Sequence, residues 1–145
     1  MLEYWCSWLN PVPTRSVQRG VAAMLPDDKE GRLRCFRNAL RNWNVRGYVR
    51  FKSRAEEWLG NELPELEDLR DIARQLHEFV ETGGKIDEQV EKRRLELAED
   101  HAQEFRYDLR LLIGGRRLYF ETILLTDDPD DPDDPTIVVV NVHDV

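Results

Sequence analysis

Four residues in the last third of the chain could perform acid–base chemistry on one surface: Arg110, Tyr119, Glu121 and His143. The segment Ile113-Gly114-Gly115-Arg116 predicts a two-residue hairpin turn, because two glycines accept the positive backbone angles that this turn requires. The turn sets the register of the two strands. Tyr119 then lies opposite Arg110, Glu121 lies opposite Asp108, and the ionisable side chains gather on the outward face of the pair.

Such a patch could cleave RNA without a metal ion, with a base acting on the ribose 2′-hydroxyl and an arginine stabilising the charge of the phosphorane. His143 belongs to the patch only if the last strand presents Ile137, Val139, Asn141 and His143 beside Tyr119. The sequence leaves this open, because the other set, Val138, Val140 and Val142, is equally apolar. Two alternatives stay open for Asp108 and Glu121, which repel each other across the strands. Arg106 and Arg110 would neutralise them in a structural role, or the two carboxylates would bind a metal ion, although no paired His or Cys spacing accompanies them.

The elements that position these residues follow from hydrophobic periodicity. Helices are predicted over about 30–44, from a Ser53–Glu56 capping box to about Asn61, from Pro64 to Gly83, and from Asp87 to about Ala102. Strands are predicted over Phe105–Ile113, Arg116–Leu125 and Thr136–Val142. The core face of the hairpin comprises alternating residues, mainly Tyr107, Leu109, Leu111, Leu118 and Phe120.

Helices first and strands last indicate an α+β fold, with N-terminal helices packed on a small three-stranded antiparallel C-terminal sheet. We expect a basic helical portion over 1–62 and an α+β portion over 63–145. Whether the first portion folds independently is not predicted. The 145 residues fit one compact domain.

Charge is divided between these portions. Residues 1–60 hold eleven Lys and Arg against six acids, whereas residues 61–145 hold ten against 23. Arg34, Arg37 and Arg41 would form a basic ridge beside the apolar stripe of the first predicted helix. With Arg46 and Arg50 they are candidate nucleic-acid-binding residues, since arginine contacts phosphate in a bidentate manner. The alternative is that these arginines are solvated or pair with acids of the same protein.

The segment 127–135 consists of three Asp-Asp-Pro triplets between two predicted strands. An EF-hand would need a glycine at its turn and a terminal glutamate, and both are missing. The prolines favour an extended, solvated spacer. Its acids could also occupy a basic surface, including the protein's own ridge.

The cysteine content and the lengths of the apolar runs restrict the class of protein. Cys6 and Cys35 match no metal or redox spacing, and no apolar run approaches the length of a membrane span. Met1–Val12 lacks the pattern of a signal peptide. We therefore expect a cytoplasmic protein without cofactor, metal site or membrane partner.

The block from Phe105 to Arg110, with Ile113–Thr122, the Asp-Asp-Pro loop and Val140–Asp144, resembles a family of short uncharacterised bacterial proteins. The order of helix, hairpin and terminal strand is also similar to that of RelE-like and MqsR-like toxins, which are small ribonucleases. This second resemblance concerns topology and implies a nucleic-acid-directed function.

Three hypotheses follow. The first is a nucleic-acid-directed protein, including a RelE-like ribonuclease or a degenerate relative, that binds RNA or DNA through its basic portion. The second is a non-enzymatic interaction module that contacts a protein partner through its acidic loop or forms a homodimer through the terminal strand. The third is an enzyme with a small-molecule substrate.

Overall fold

The computed structural model describes residues 25–90, 105–126, 131 and 133–145. Within these ranges the chain forms three helices, α1 (Lys29–Arg41), α2 (Ser53–Glu62) and α3 (Leu69–Glu81). It also forms five strands, β1 (Val49–Phe51), β2 (Asp87–Val90), β3 (Phe105–Ile113), β4 (Arg116–Leu125) and β5 (Thr136–Asp144). The prediction of a mixed α+β fold is confirmed.

The strands form one sheet in the order β1-β5-β4-β3-β2. β1 is parallel to β5, and the other neighbours are antiparallel. The prediction of a three-stranded antiparallel sheet is therefore wrong. It omitted the two flanking strands because three and four residues are too short to show alternation. Strand β2 also corrects the helix predicted from Asp87, of which residues 91–102 lie outside the described part.

Two predicted helix starts also differ from the structure. Lys52 precedes α2 and makes no side-chain capping bond, so the predicted box with Ser53 as its cap does not form. Helix α3 begins at Leu69 rather than at Pro64, because the carboxylate of Asp68 accepts a hydrogen bond from the backbone N–H of Arg70 and satisfies a free donor.

The helices pack against one face of the sheet, and the two layers share one hydrophobic core. The predicted inward residues Tyr107, Leu109, Leu111, Leu118 and Phe120 are all buried in it. Phe36 and Leu40 of α1 and Leu59 of α2 belong to the same core. The described part of the basic portion, residues 25–62, therefore packs on the sheet.

A buried ion pair connects α1 to β2. The guanidinium of Arg32 contacts both carboxylate oxygens of Glu88, at 2.7 and 3.1 Å, and lies 4.1 Å from the centroid of the Phe105 ring. The hydroxyl of Tyr107 donates to the same carboxylate at 3.0 Å. Burial alone would raise the pKa of Glu88, but the hydrogen bonds from Arg32 and Tyr107 outweigh it and hold this pKa below its usual value.

This lowered pKa predicts an acid-dependent stability. Folding favours the ionised form of Glu88. The stability that this carboxylate contributes is therefore complete above the unfolded pKa of about 4.3 and is lost as the pH falls through the folded pKa. Between about pH 6 and pH 3, we expect the free energy of unfolding to fall less in Glu88→Gln than in the wild type. Urea denaturation at both pH values measures this difference. The same loss in Glu88→Gln and wild type would contradict it, and Glu57→Gln, at an exposed position of α2, is the matched control.

Two glycines give a matched pair of stability predictions. A Cβ at Gly84 would lie 2.5 Å from both the Phe79 ring and the Phe79 carbonyl oxygen, whereas a Cβ at Gly60 in α2 meets nothing within 4 Å. We expect Gly84→Ala to lower the free energy of unfolding by about 1–3 kcal/mol through overpacking. Gly60→Ala should raise it by up to about 1 kcal/mol, because alanine is the better helix former. Chemical denaturation of both variants tests the pair, and effects of the same sign would contradict it.

Candidate active site

The face of the sheet opposite the core, called here the outer face, carries the predicted patch. The glycine pair has positive φ angles of 61° and 84°. The hairpin register is as predicted from Ile113 opposite Arg116 to Tyr107 opposite Thr122. Tyr119 accordingly lies opposite Arg110, and Glu121 lies opposite Asp108, both pairs on the outer face.

A bulge in β5 decides which residues of the last strand join them. Asn141 pairs with Glu121, but the next residue of β4, Thr122, pairs with Val139, so Val140 is an extra residue. The alternation changes phase there. His143, opposite Tyr119, and Asn141 therefore lie on the outer face, whereas Val139 enters the core.

The two candidate sets predicted for β5 are thus each divided by the bulge. Ile137 and Val139 enter the core instead of the patch, and Val142 does so as well. Val138 and Val140 form a separate apolar cluster with Ile123 on the outer face. The prediction of regular alternation along the whole of β5 is therefore wrong, because the bulge changes its phase.

An open cavity of about 600 Å³ occupies the outer face at this point. All four predicted catalytic residues, Arg110, Tyr119, Glu121 and His143, line it. The remaining lining residues are Arg106, Asp108, Asn141, Asp144 and Val145. The sequence placed Arg106 and Asp108 on this face by alternation but did not include them among the predicted catalytic residues, and it assigned no role to Asn141.

The two carboxylates at the base of the cavity are enclosed, whereas the sequence placed them outside. Asp108 and Glu121 are 2% and 4% exposed. The Arg106 Nε lies 3.3 Å from a carboxylate oxygen of Asp108. Burial lowers the pKa of Arg106, but the charges of Asp108 and Glu121 outweigh it and raise this pKa overall. Arg106 thus compensates the carboxylates as expected, while Arg110 contacts Asp87 instead, at 3.4 Å.

Tyr119 is a neutral hydrogen-bonding group at the centre of the cavity. Burial raises its pKa first, and a hydrogen bond with Asp108 raises it further, so the phenol keeps its proton. Its ring lies between two neighbours: the His143 ring at 4.6 Å between centroids, and the Arg110 guanidinium at 5.1 Å from the Tyr119 centroid. The phenol therefore positions both the imidazole and the cation.

The imidazole of His143 is held in one tautomer. Its Nδ1 lies 2.8 Å from the carbonyl oxygen of Asp144. Because a carbonyl oxygen only accepts hydrogen bonds, Nδ1 carries the proton in the neutral ring, and Nε2 remains as the basic nitrogen. The His143 side chain is exposed, so this base can reach a ligand in the cavity.

The predicted nucleic-acid-binding arginines lie elsewhere. Arg34, Arg37 and Arg41 are on α1, on the side of the sheet opposite the cavity. Arg37 contacts Glu30 at 3.6 Å, and Arg41 contacts Glu81 at 3.2 Å. Arg46 is exposed in the turn before β1. Arg50 pairs with Val138 and shares the outer face with the cavity.

The acidic loop is only partly described, since residues 127–130 and 132 lie outside the described ranges. The Tyr48 hydroxyl donates to the carbonyl oxygen of Asp133 at 2.9 Å, and Thr126 Oγ1 donates to Asp134 at 2.7 Å. These bonds attach the second half of the loop to the body of the protein.

The chain matches no family model, and no curated protein or solved structure is significantly similar to it. None of the described helices has the length and apolar character needed to cross a bilayer. The described ranges also contain no group of three or more His, Cys, Asp or Glu side chains arranged to hold a metal ion.

Proposed function

We propose that the protein cleaves RNA at the outer-face cavity by general acid–base catalysis. The observation that supports this most directly is the His143–Tyr119–Arg110 row, in which a base of defined tautomer, a neutral phenol and a cation lie side by side across three strands. Attack of a ribose 2′-hydroxyl on its neighbouring phosphate needs a base, a proton donor and a stabilised phosphorane charge.

Each group has a role in this reaction. His143 Nε2 removes the proton of the 2′-hydroxyl, and the Arg110 guanidinium stabilises the additional negative charge on the phosphorane. The bond from phosphorus to the 5′-oxygen then breaks, and the Tyr119 hydroxyl donates a proton to this oxygen. Glu121 accepts a hydrogen bond from the ribose or base at the inner end of the cavity.

RNA binding at the active site does not require the basic ridge. Arg37 and Arg41 already contact acids, and α1 lies across the sheet from the cavity. Arg50 and Arg117 are exposed, and both lie on the outer face, where β4, the strand of Arg117, contributes residues to the cavity. A relationship to RelE-like ribonucleases is part of the same proposal and is supported by the order of helices, hairpin and terminal strand.

Under the second hypothesis, a non-enzymatic interaction module, the acidic loop is the candidate surface for binding a partner protein. Dimerisation through the terminal strand is less favoured, because β5 lies inside the sheet and β1 already pairs with Ile137–Val139. The outer-face cavity therefore supports a catalytic function better than the terminal strand supports a homodimer.

A defined oligonucleotide tests the proposed activity. The purified protein is incubated with a single-stranded RNA in EDTA, and the products are analysed by mass spectrometry. We expect 2′,3′-cyclic phosphate and 5′-hydroxyl ends, with slower cleavage at higher salt because phosphate contacts weaken. The same oligonucleotide with 2′-deoxyribose at every position should remain intact. Absence of cleavage, or equal cleavage of both oligonucleotides, would refute the proposal.

A further inference from the structure

A second depression, of about 730 Å³, lies where the C-terminal end of α3 meets the edge of β3. We call it the β3 groove. Its lining includes Phe79 of α3, Thr82 at the C-cap of α3, and Lys85 between α3 and β2. Arg110 and Leu112 of β3 and Arg117 of β4 complete this set. The groove adjoins the cavity described above and follows the edge of the sheet, with Arg110, Leu112 and Arg117 on the outer face and Phe79 on the helix side.

The backbone of β3 is available for pairing along this groove. β2 pairs with β3 only from Phe105 to Asp108, so no other described strand lies beside the remainder of β3. In a hairpin with a two-residue turn, the residues flanking the turn exchange both backbone hydrogen bonds, and every second residue does the same. Ile113, Leu111 and Leu109 therefore bond to β4. The N–H and C=O groups of Leu112 and Arg110 point into the groove.

The side chains at this edge form an apolar and basic surface. Leu112 is 66% exposed, one of the most exposed large apolar side chains among the described residues. Lys85 and Arg117 are exposed and have no salt-bridge partner in the described ranges, and Arg110, which lies over the Tyr119 ring, forms a salt bridge with Asp87 at 3.4 Å. Among the described residues that line the groove, Glu78 is the one acid, and it is bonded to Arg74 at 2.9 Å. The groove is thus complementary to a ligand carrying both carboxylates and apolar side chains.

Charge also selects between possible occupants of the open edge. A second copy of the chain paired edge to edge would bring the Lys85, Arg110 and Arg117 cations of the two copies together, and like charges in an interface are costly. An extended peptide with alternating acidic and apolar residues would instead place its carboxylates on the outer face, beside Arg110 and Arg117, and its apolar side chains on the helix side, beside Phe79.

We infer that the β3 groove is a docking site for an extended acidic segment of a partner protein, which adds to the sheet as a sixth strand beside β3. Backbone hydrogen bonds to Arg110 and Leu112 would supply register, and the cations and Phe79 would supply selectivity. This inference does not depend on RNA cleavage.

Amide hydrogen exchange tests the geometry of this site. The probe is an N-acetylated peptide of alternating glutamate and valine flanked by glycines, added to the full-length protein. We expect the Arg110 and Leu112 amides to exchange rapidly in the free protein and at least about tenfold more slowly with saturating peptide. The Leu109 and Leu111 amides, bonded to β4, should be protected in both states. Protection of the Arg110 and Leu112 amides in the free protein, or no added protection with peptide, would overturn the inference.

Charge-reversal variants and alternative ligands complete the test. Fluorescence anisotropy with the labelled peptide should show that Lys85→Glu with Arg117→Glu weakens binding by at least about tenfold, whereas Arg54→Glu, at an exposed position of α2, leaves it unchanged. Equal binding of a lysine–valine peptide would contradict the charge argument. Protection of Arg110 and Leu112 by a single-stranded RNA of equal length would assign the groove to nucleic acid and overturn the peptide inference.

Discussion

Replacing His143 with glutamine is expected to slow RNA cleavage by about 10²–10⁴-fold, the usual contribution of a general base. Glutamine keeps a side chain of similar size opposite Tyr119 but cannot accept a proton at neutral pH. Single-turnover kinetics with a fluorogenic RNA measures the effect.

The matched control for this prediction is His77→Gln in α3, on the other side of the sheet from the cavity. It should cleave at the wild-type rate, provided that circular dichroism shows both variants folded. A His143→Gln protein that retains more than about half of the wild-type rate would remove His143 from the mechanism. Cleavage lost in both variants would point to a general effect on the fold.

Replacing Arg32 with alanine should lower the free energy of unfolding by about 3–5 kcal/mol, because it leaves the Glu88 carboxylate buried without its cation. The side chains of Arg32 and Glu88 are only 10% and 6% exposed, so water replaces little of the lost interaction. The Phe105 ring also loses the guanidinium that lies over it. Urea denaturation near pH 7 measures the change.

An exposed ion pair of the same helix provides the control. The Arg41 side chain is 54% exposed in its contact with Glu81, and Arg41→Ala should cost less than about 1 kcal/mol. The double variant Arg32→Leu, Glu88→Leu should recover most of the loss, since a buried pair replaced by apolar groups is often close to neutral. Equal effects of Arg32→Ala and Arg41→Ala would show that the Arg32 pair is not buried in solution.

The hairpin could be predicted from sequence because its information is local. Two adjacent glycines fix the turn, and regular alternation then assigns Tyr107 and Phe120 to the core and Tyr119 to the other face. The helices α1, α2 and α3 follow for a similar reason, since their apolar residues repeat with the period of a helix. In both cases each residue is positioned by neighbours a few places away in the chain.

The remaining features depend on contacts between distant segments. β1 is a strand because it pairs with β5, about 90 residues later, and nothing in Val49–Phe51 alone requires this. The bonds from Arg32 to Glu88, 56 residues away, likewise cannot be predicted from the residues next to Arg32 in the sequence. The sequence therefore predicted the members of the cavity better than the surfaces and strands around it.

The extra residue in β5 lets two consecutive side chains, those of Val140 and Asn141, lie on the outer face. Deleting Val140 would restore regular alternation and leave every pairing with β4 unchanged, so Val139 and Val142 would stay in the core and His143 would stay opposite Tyr119. In proteins descended from the same ancestor, a β5 shorter by this one residue would therefore still keep the imidazole beside the phenol.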